Sequence, residues 1–219
     1  LQVMEKDRHK RKFLNFILGP ISKIDSPQIL EFGVSGKGMS TSIFLDLCKQ
    51  NNGKLLSVDI NNESRKFQDT NWQFVNARDD DYKIVEKFIK KDLDVIYLDT
   101  IHKADHVEKI FYHYYDKLKV GGFFFIDDTS WLPYLKKNRK DNFFMEINNH
   151  ETFDRIVEIL NSNNDLFDLE FSFVGTGIAK IHKLSDQKLN INKKLKSRKL
   201  SVKNFFRKTF KSLKNRNKN

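Results

Sequence analysis

The feature that most narrows what this chain can fold into is a repeated alternation of short apolar runs and helical stretches. Strand candidates are Ile29–Val34, Leu55–Ile60, Trp72–Asn76, Val95–Asp99 and Gly122–Asp127, with the third weaker than the rest. Helix candidates between them are Ser40–Gln50, Tyr82–Lys90 and Ala104–Lys119. Continuous apolar strands separated by amphipathic helices predict a parallel sheet covered on both faces, because each crossover helix must bury its apolar stripe against the sheet.

After Asp128 the rhythm changes. Thr129–Asn149 is polar and aromatic-containing without clear periodicity, and Phe153–Leu160 then reads as a helix. Phe167–Val174 and Gly177–His182 follow as strands too close in sequence for a crossover, which predicts an antiparallel edge hairpin. A leading helix is expected over Glu5–Leu18, stopped by Gly19-Pro20. The expectation is therefore an α/β fold. It is a Rossmann-like, doubly wound, mostly parallel seven-stranded sheet with an antiparallel edge hairpin and a basic C-terminal tail.

Composition sets the limits of that fold. A length of 219 residues, 39% of them hydrophobic, suits one α/β domain, taken as 1–186, with 187–219 as the tail. Twenty Phe residues predict a core built on aromatic packing. No run approaches the roughly 18 apolar residues of a membrane span, and the first residues carry no signal-peptide pattern. The lone cysteine, Cys48, falls on an apolar helix face and reads as a core residue, which suggests a reducing, cytoplasmic setting. The net charge of +11 is not spread evenly. Thirteen of the 40 Lys and Arg residues lie between Gln187 and Asn219, where there is no Asp or Glu; the rest carries 27 basic against 29 acidic residues. The body is close to neutral, so the basic character belongs to the tail.

The chemistry-bearing residues gather at strand ends. Ile29–Phe32 runs into a turn containing Gly33, Gly36 and Gly38 that opens a helix, with Ser40 or Thr41 placed to cap it. Glycines let backbone pass close to a ligand at the carboxyl edge of an open sheet. The spacing is neither G-x-G-x-x-G nor G-x-x-x-x-G-K-[ST], which argues against a dinucleotide site and a P-loop. Asp59 ends the second strand about 20 residues on, where a carboxylate can accept both hydroxyls of a ribose diol; a solvated strand-end Asp is the plainer alternative. The fourth strand ends in Asp99-Thr100-Ile101-His102, and the fifth in Asp127-Asp128. Three carboxylates meeting at one sheet edge would repel, and a hard divalent cation relieves this, oxygen ligands favouring Mg²⁺ over Zn²⁺. Asp127 could instead cap the next segment, and His102 could bond backbone. His106 lies one helical turn after His102 without a third soft ligand for zinc.

Glu31, Gly33, Gly38, Ser40 and Thr41 fill an E-x-G-x-x-x-G-x-S-T pattern. It resembles motif I of class I S-adenosylmethionine-dependent methyltransferases, in the variant of the macrocin O-methyltransferase and cephalosporin hydroxylase-like group. The commoner E-x-G-x-G-x-G is not met, since Ser35 and Lys37 replace its later glycines. The resemblance spans roughly Gln28–Thr129. It implies cofactor contacts at Glu31, Phe32, Gly33, Gly38, Ser40, Thr41 and Asp99, a ribose contact at Asp59, and adenine contacts at Ala77 and Asp79. It also implies Mg²⁺ ligands at Asp99, Asp127 and Asp128, and a general base at His102.

Trp131, Tyr134 and Phe143-Phe144-Met145 could cover the acceptor or join the core. In the tail, Leu200, Val202, Phe205, Phe206, Phe210 and Leu213 share one helical face among basic residues. That pattern suits an anionic membrane surface, with phosphate contacts to nucleic acid and a solvated tail as alternatives. The resulting expectation is a Mg²⁺-assisted O-methyltransferase of a sugar or other small metabolite, cytoplasmic or peripheral to the inner face of the membrane. The alternatives are an RNA methyltransferase and a non-catalytic methyltransferase-like scaffold.

Overall fold

A computed structural model describes residues 16–34, 38–130, 143–191, 202–203 and 206. A short helical turn, α1 (Gly19–Ile21), leads into β1 (Gln28–Phe32), α2 (Met39–Gln50), β2 (Lys54–Asp59), β3 (Trp72–Asn76) and α3 (Tyr82–Val85). Then follow β4 (Leu93–Leu98), α4 (Ala104–Tyr115), β5 (Leu118–Asp127), α5 (Phe143–Asn161), β6 (Phe167–Ser172) and β7 (Ile178–Lys183). The seven strands form one sheet in the order β3-β2-β1-β4-β5-β7-β6. The first five are parallel, and β7 runs antiparallel to both β5 and β6. This is the expected parallel sheet with its reversed edge hairpin.

Alternate side chains of each strand divide between two cores. Leu30, Phe32, Ile96, Leu98, Phe124 and Ile126 face α4 and α5 on one side, meeting Ile110, Phe111, Tyr114 and Ile156. Ile29, Leu55, Val95, Tyr97 and Phe125 face α2 on the other, with Phe44, Leu45 and Cys48. Cys48 is fully buried, and burial pushes its thiol up to about 12, so it serves as a small core residue.

Several boundaries differ from the sequence reading, each for a visible reason. Gly19-Pro20 does not stop the leading helical segment; the turn runs through Ile21 with Pro20 at its start, where a missing N–H costs nothing. The expected helix Tyr82–Lys90 closes after Val85 because the following amides turn back to carbonyls three residues earlier (Phe88 N to Val85 O, 3.0 Å; Ile89 N to Glu86 O, 3.2 Å). Ala104–Lys119 ends at Tyr115, since Leu118 pairs with Leu93 at the start of β5, ahead of a register shift. The helix expected over Phe153–Leu160 extends back to Phe143. Its buried stripe includes Asn149, Thr152, Ile156 and Ile159, at helical spacing but half polar. The leading helix over Glu5–Asn15, most of the tail, Trp131 and Tyr134 lie outside the described residues.

Candidate functional site

The carboxyl ends of β1, β2, β4 and β5 lie side by side, and backbone bonds tie them together beyond the strands. The Gly33 N–H donates to Val58 O (2.9 Å), and the Asp99 N–H donates to Phe32 O (2.9 Å). Gly33 sits at φ +93°, and a Cβ there would lie 2.0 Å from the Asp99 carbonyl oxygen. Gly38 sits at φ +55° as the residue capping α2, facing the Phe67 ring. These two glycines are thus demanded by the chain itself, by backbone conformation at both and by a close approach at Gly33.

Below this turn lies a hydroxyl cage. Glu31 is fully buried. Its Oε1 accepts from Ser40 Oγ (2.6 Å), and its Oε2 from Thr41 Oγ1 (2.8 Å) and Ser57 Oγ (2.7 Å). Ser57 is its register partner on β2 and also accepts from Trp72 Nε1 (3.0 Å). Burial raises the Glu31 carboxyl to about 7 although the three hydroxyls pull it down. Neither Ser40 nor Thr41 caps α2. They are its second and third residues, and their hydroxyls go to Glu31 while Gly38 occupies the cap position. Phe32 is also fully buried, its ring 4.8 Å from that of Tyr114. The Glu31, Ser40, Thr41 and Ser57 side chains therefore tie β1, β2 and the first turn of α2 together.

Asp59 is partly open at the end of β2. Its Oδ2 accepts the Val34 N–H (2.9 Å) and its Oδ1 the Asn61 N–H (2.8 Å). Each oxygen keeps a second lone pair, which suits acceptance from vicinal hydroxyls. Ala77 is buried after β3. Asp79 turns inward, with Oδ2 2.7 Å from His106 Nε2 and 2.5 Å from Thr100 Oγ1.

The ends of β4 and β5 bring His102 between two carboxylates. Its Nε2 lies 3.5 Å from Asp99 Oδ1 and 3.5 Å from Asp128 Oδ2, with side-chain exposures of 29%, 32% and 11% for His102, Asp99 and Asp128. Asp128 adopts φ +57°, a left-handed conformation that Asp tolerates better than most residues. Its N–H donates to Gly177 O (3.1 Å) and to Asp127 Oδ1 (2.7 Å). Asp127 Oδ2 accepts from Tyr97 OH (2.7 Å). Burial first, then Asp127 itself, hold the Tyr97 phenol well above its usual range, so it stays a donor. Among the described residues no three His, Cys, Asp or Glu side chains are gathered as a metal cluster. The oxygen donors at Asp99 and Asp128 suit a hard cation, whereas Asp127 is engaged at both oxygens. A cavity of about 470 Å³ lined by Trp72, Phe88, Lys90 and Lys91 lies at the opposite, amino edge of the sheet.

The sequence reading passed over Tyr97, Ser57 and Thr100. A tyrosine within an otherwise apolar buried strand, two residues before Asp99 and hence of the same parity, was the available signal for Tyr97.

Residues 30–129 match the family described as a methyltransferase domain. The matched stretch and the strand order are those of the class I methyltransferase fold. No curated protein matches the chain. Among solved structures, MycE methyltransferase of the mycinamycin biosynthetic pathway, in complex with Mg, SAH and mycinamycin VI, superposes with a TM-score of 0.51 at 17% identity. That match covers 87% of this chain and 51% of MycE, so the chain spans about half the length of that relative. SAH-bound PaMTH1 from Podospora anserina gives 0.56 at 12% identity, covering 73% of this chain and 72% of that one. A caffeoyl-CoA O-methyltransferase-like protein of Staphylococcus aureus gives 0.55 at 13%, covering 84% and 83%. At these identities the likeness is one of fold. Among the described residues no helix is long and apolar enough to cross a membrane.

Proposed function

We propose that this chain is an S-adenosylmethionine-dependent methyltransferase that acts on a hydroxyl of a sugar or other small polyhydroxylated metabolite, with His102 as general base and a divalent cation held at Asp99 and Asp128 with Asp127 behind them. The observation that carries this reading is the position of His102 Nε2, 3.5 Å from each of two strand-end carboxylates. The presence of Mg and SAH in the MycE complex supports the cofactor and cation assignments.

S-Adenosylmethionine, when bound, supplies a methyl group on a sulfonium, open to in-line attack by an oxygen nucleophile with departure of the neutral thioether. A divalent cation, when bound, supplies positive charge that stabilises a developing alkoxide. For their part, Gly33 and Gly38 border the edge beside which the cofactor would lie, and Asp59 would offer its spare lone pairs to the ribose diol. His102 takes the acceptor's proton on Nε2. Asp99 and Asp128 beside it stabilise the charge this creates. Tyr97 holds Asp127, and Asp127 in turn holds the Asp128 amide, fixing where the second carboxylate points.

The test is methyl-labelled S-adenosylmethionine with the full chain and a panel of sugar nucleotides and polyols. Label is expected on a hydroxyl, falling at least about 100-fold in His102→Ala and lost in Asp128→Asn or excess chelator, with affinity for S-adenosylhomocysteine kept. Full activity in chelator removes the cation from the mechanism. Label in RNA and in no small acceptor overturns the substrate class.

A further inference from the structure

His102 is useful only while its loop holds it between Asp99 and Asp128, and one buried side chain grips that loop at both ends. Asp79 closes the connection after β3, and its side chain is only 4% exposed. Its Oδ2 accepts from Thr100 Oγ1 at 2.5 Å, one residue beyond Asp99. The same oxygen lies 2.7 Å from His106 Nε2, one helical turn beyond His102. Between these anchors the backbone makes local turns, Lys103 N to Ile101 O (2.9 Å) and His106 N to Lys103 O (2.9 Å).

The anchor is itself held fast. Tyr114 OH donates to the Asp79 carbonyl (3.1 Å), and the Tyr114 ring packs on Phe32 at the end of β1. The Thr100 methyl lies 3.5 Å from where a Cβ on Gly33 would be, so the clamp also abuts the glycine turn. One carboxylate thus joins the β3 connection, the β4 loop and the first turn of α4. Its burial leaves little surface for a ligand to touch, whatever lies beside Ala77.

We propose that Asp79 is a positioning residue that clamps the 99–106 loop through Thr100 and His106 and so sets the place of His102. The assignment rests on the reading of His102 as the base. It is tested without an acceptor or a cation, so that a failed methylation assay and a failed clamp are told apart. A hydroxyl or imidazole donor shared on one buried oxygen restrains two backbone segments at once, and removing either donor frees one end of the loop.

The experiment compares Asp79→Asn, Thr100→Val, His106→Ala and the conservative His106→Gln in the full chain. It reads the imidazole ¹⁵N resonances of His102, amide exchange over residues 99–104, and calorimetric affinity for S-adenosylhomocysteine. The first three variants are expected to shift the His102 resonances and speed loop exchange at least about tenfold, with affinity changed less than about threefold. His106→Gln, which keeps a donor, is expected to stay near the original protein. Asp79→Asn weakening the ligand tenfold or more while the His102 resonances and loop exchange stay unchanged would make it a cofactor contact and overturn the proposal. So would no change in Thr100→Val, which removes a single hydroxyl and carries the test if Asp79→Asn fails to fold.

Discussion

At the scale of single residues, Glu31 is a motif carboxyl held at the end of β1 by three hydroxyls. Its carboxyl is raised to about 7 by burial, against 4.5 for an ordinary Glu. A carboxyl raised in the folded state binds its proton more tightly there than in the unfolded chain, so stability is highest below about pH 4.5 and falls as pH rises toward 7. At about 1.4 kcal/mol per pH unit the loss is on the order of 3 kcal/mol. Glu31→Gln removes the ionisation while keeping the shape. Thermal melting from pH 4.5 to 7.5 is expected to show a falling trend in the original protein that the variant lacks. Parallel curves would mean that the hydroxyl cage keeps Glu31 ionised throughout. His113 stacks on Tyr82 at 3.6 Å between ring centroids, with Nε2 2.9 Å from Glu86 Oε1.

At the scale of elements, the end of β1 is where conformation and packing coincide. Gly33→Ala would place a methyl against the Asp99 carbonyl and force a strained φ, so a loss of at least about 2 kcal/mol is expected in denaturant unfolding. Binding of S-adenosylhomocysteine should fall with it, because Gly33 itself borders the proposed cofactor edge. A variant as stable as the original would show that β4 yields easily. The same scale explains which elements could be read from the sequence. β1, β2, β4 and β5 were legible because strands buried on both faces are continuously apolar, and β3 was weak because it is an edge strand with half-exposed residues. The first half of α5 was hidden because Asn149 and Thr152 occupy core positions of its stripe, and hydrophobic periodicity cannot register buried polar residues. The strand-end carboxylates and His102 were legible because chemistry concentrates at that edge in any open parallel sheet. The Asp79–Thr100–His106 clamp was not, because it joins residues up to 27 positions apart through side chains that are ordinary in isolation.

At the scale of the whole molecule, the near-neutral body and the basic tail invite separate tests. The body's contacts run past Asp186. Asn190 N donates to Asn163 Oδ1 (2.7 Å), Asn163 Nδ2 reaches Asn190 O (3.3 Å), and Leu189 packs on the core. A truncation that spares the fold should therefore remove residues from Asn192 onward. Under the membrane reading of the tail, the full chain is expected to float with vesicles containing phosphatidylserine and the truncated chain to remain below, the difference shrinking as salt rises. Equal flotation of both would set that reading aside.

The catalytic reading depends on the strand ends forming one chamber around His102, and a crystal structure of the full chain with S-adenosylhomocysteine tests this most directly. The ligand sulfur is expected to face His102 Nε2 across a gap of roughly 6–8 Å, enough for the methyl carbon the cofactor carries on that sulfur and an acceptor oxygen about 3–3.5 Å beyond it, within hydrogen-bond reach of the ring. A sulfur directed away from His102, Asp99 and Asp128, or a ligand seated at the amino edge of the sheet, would contradict it.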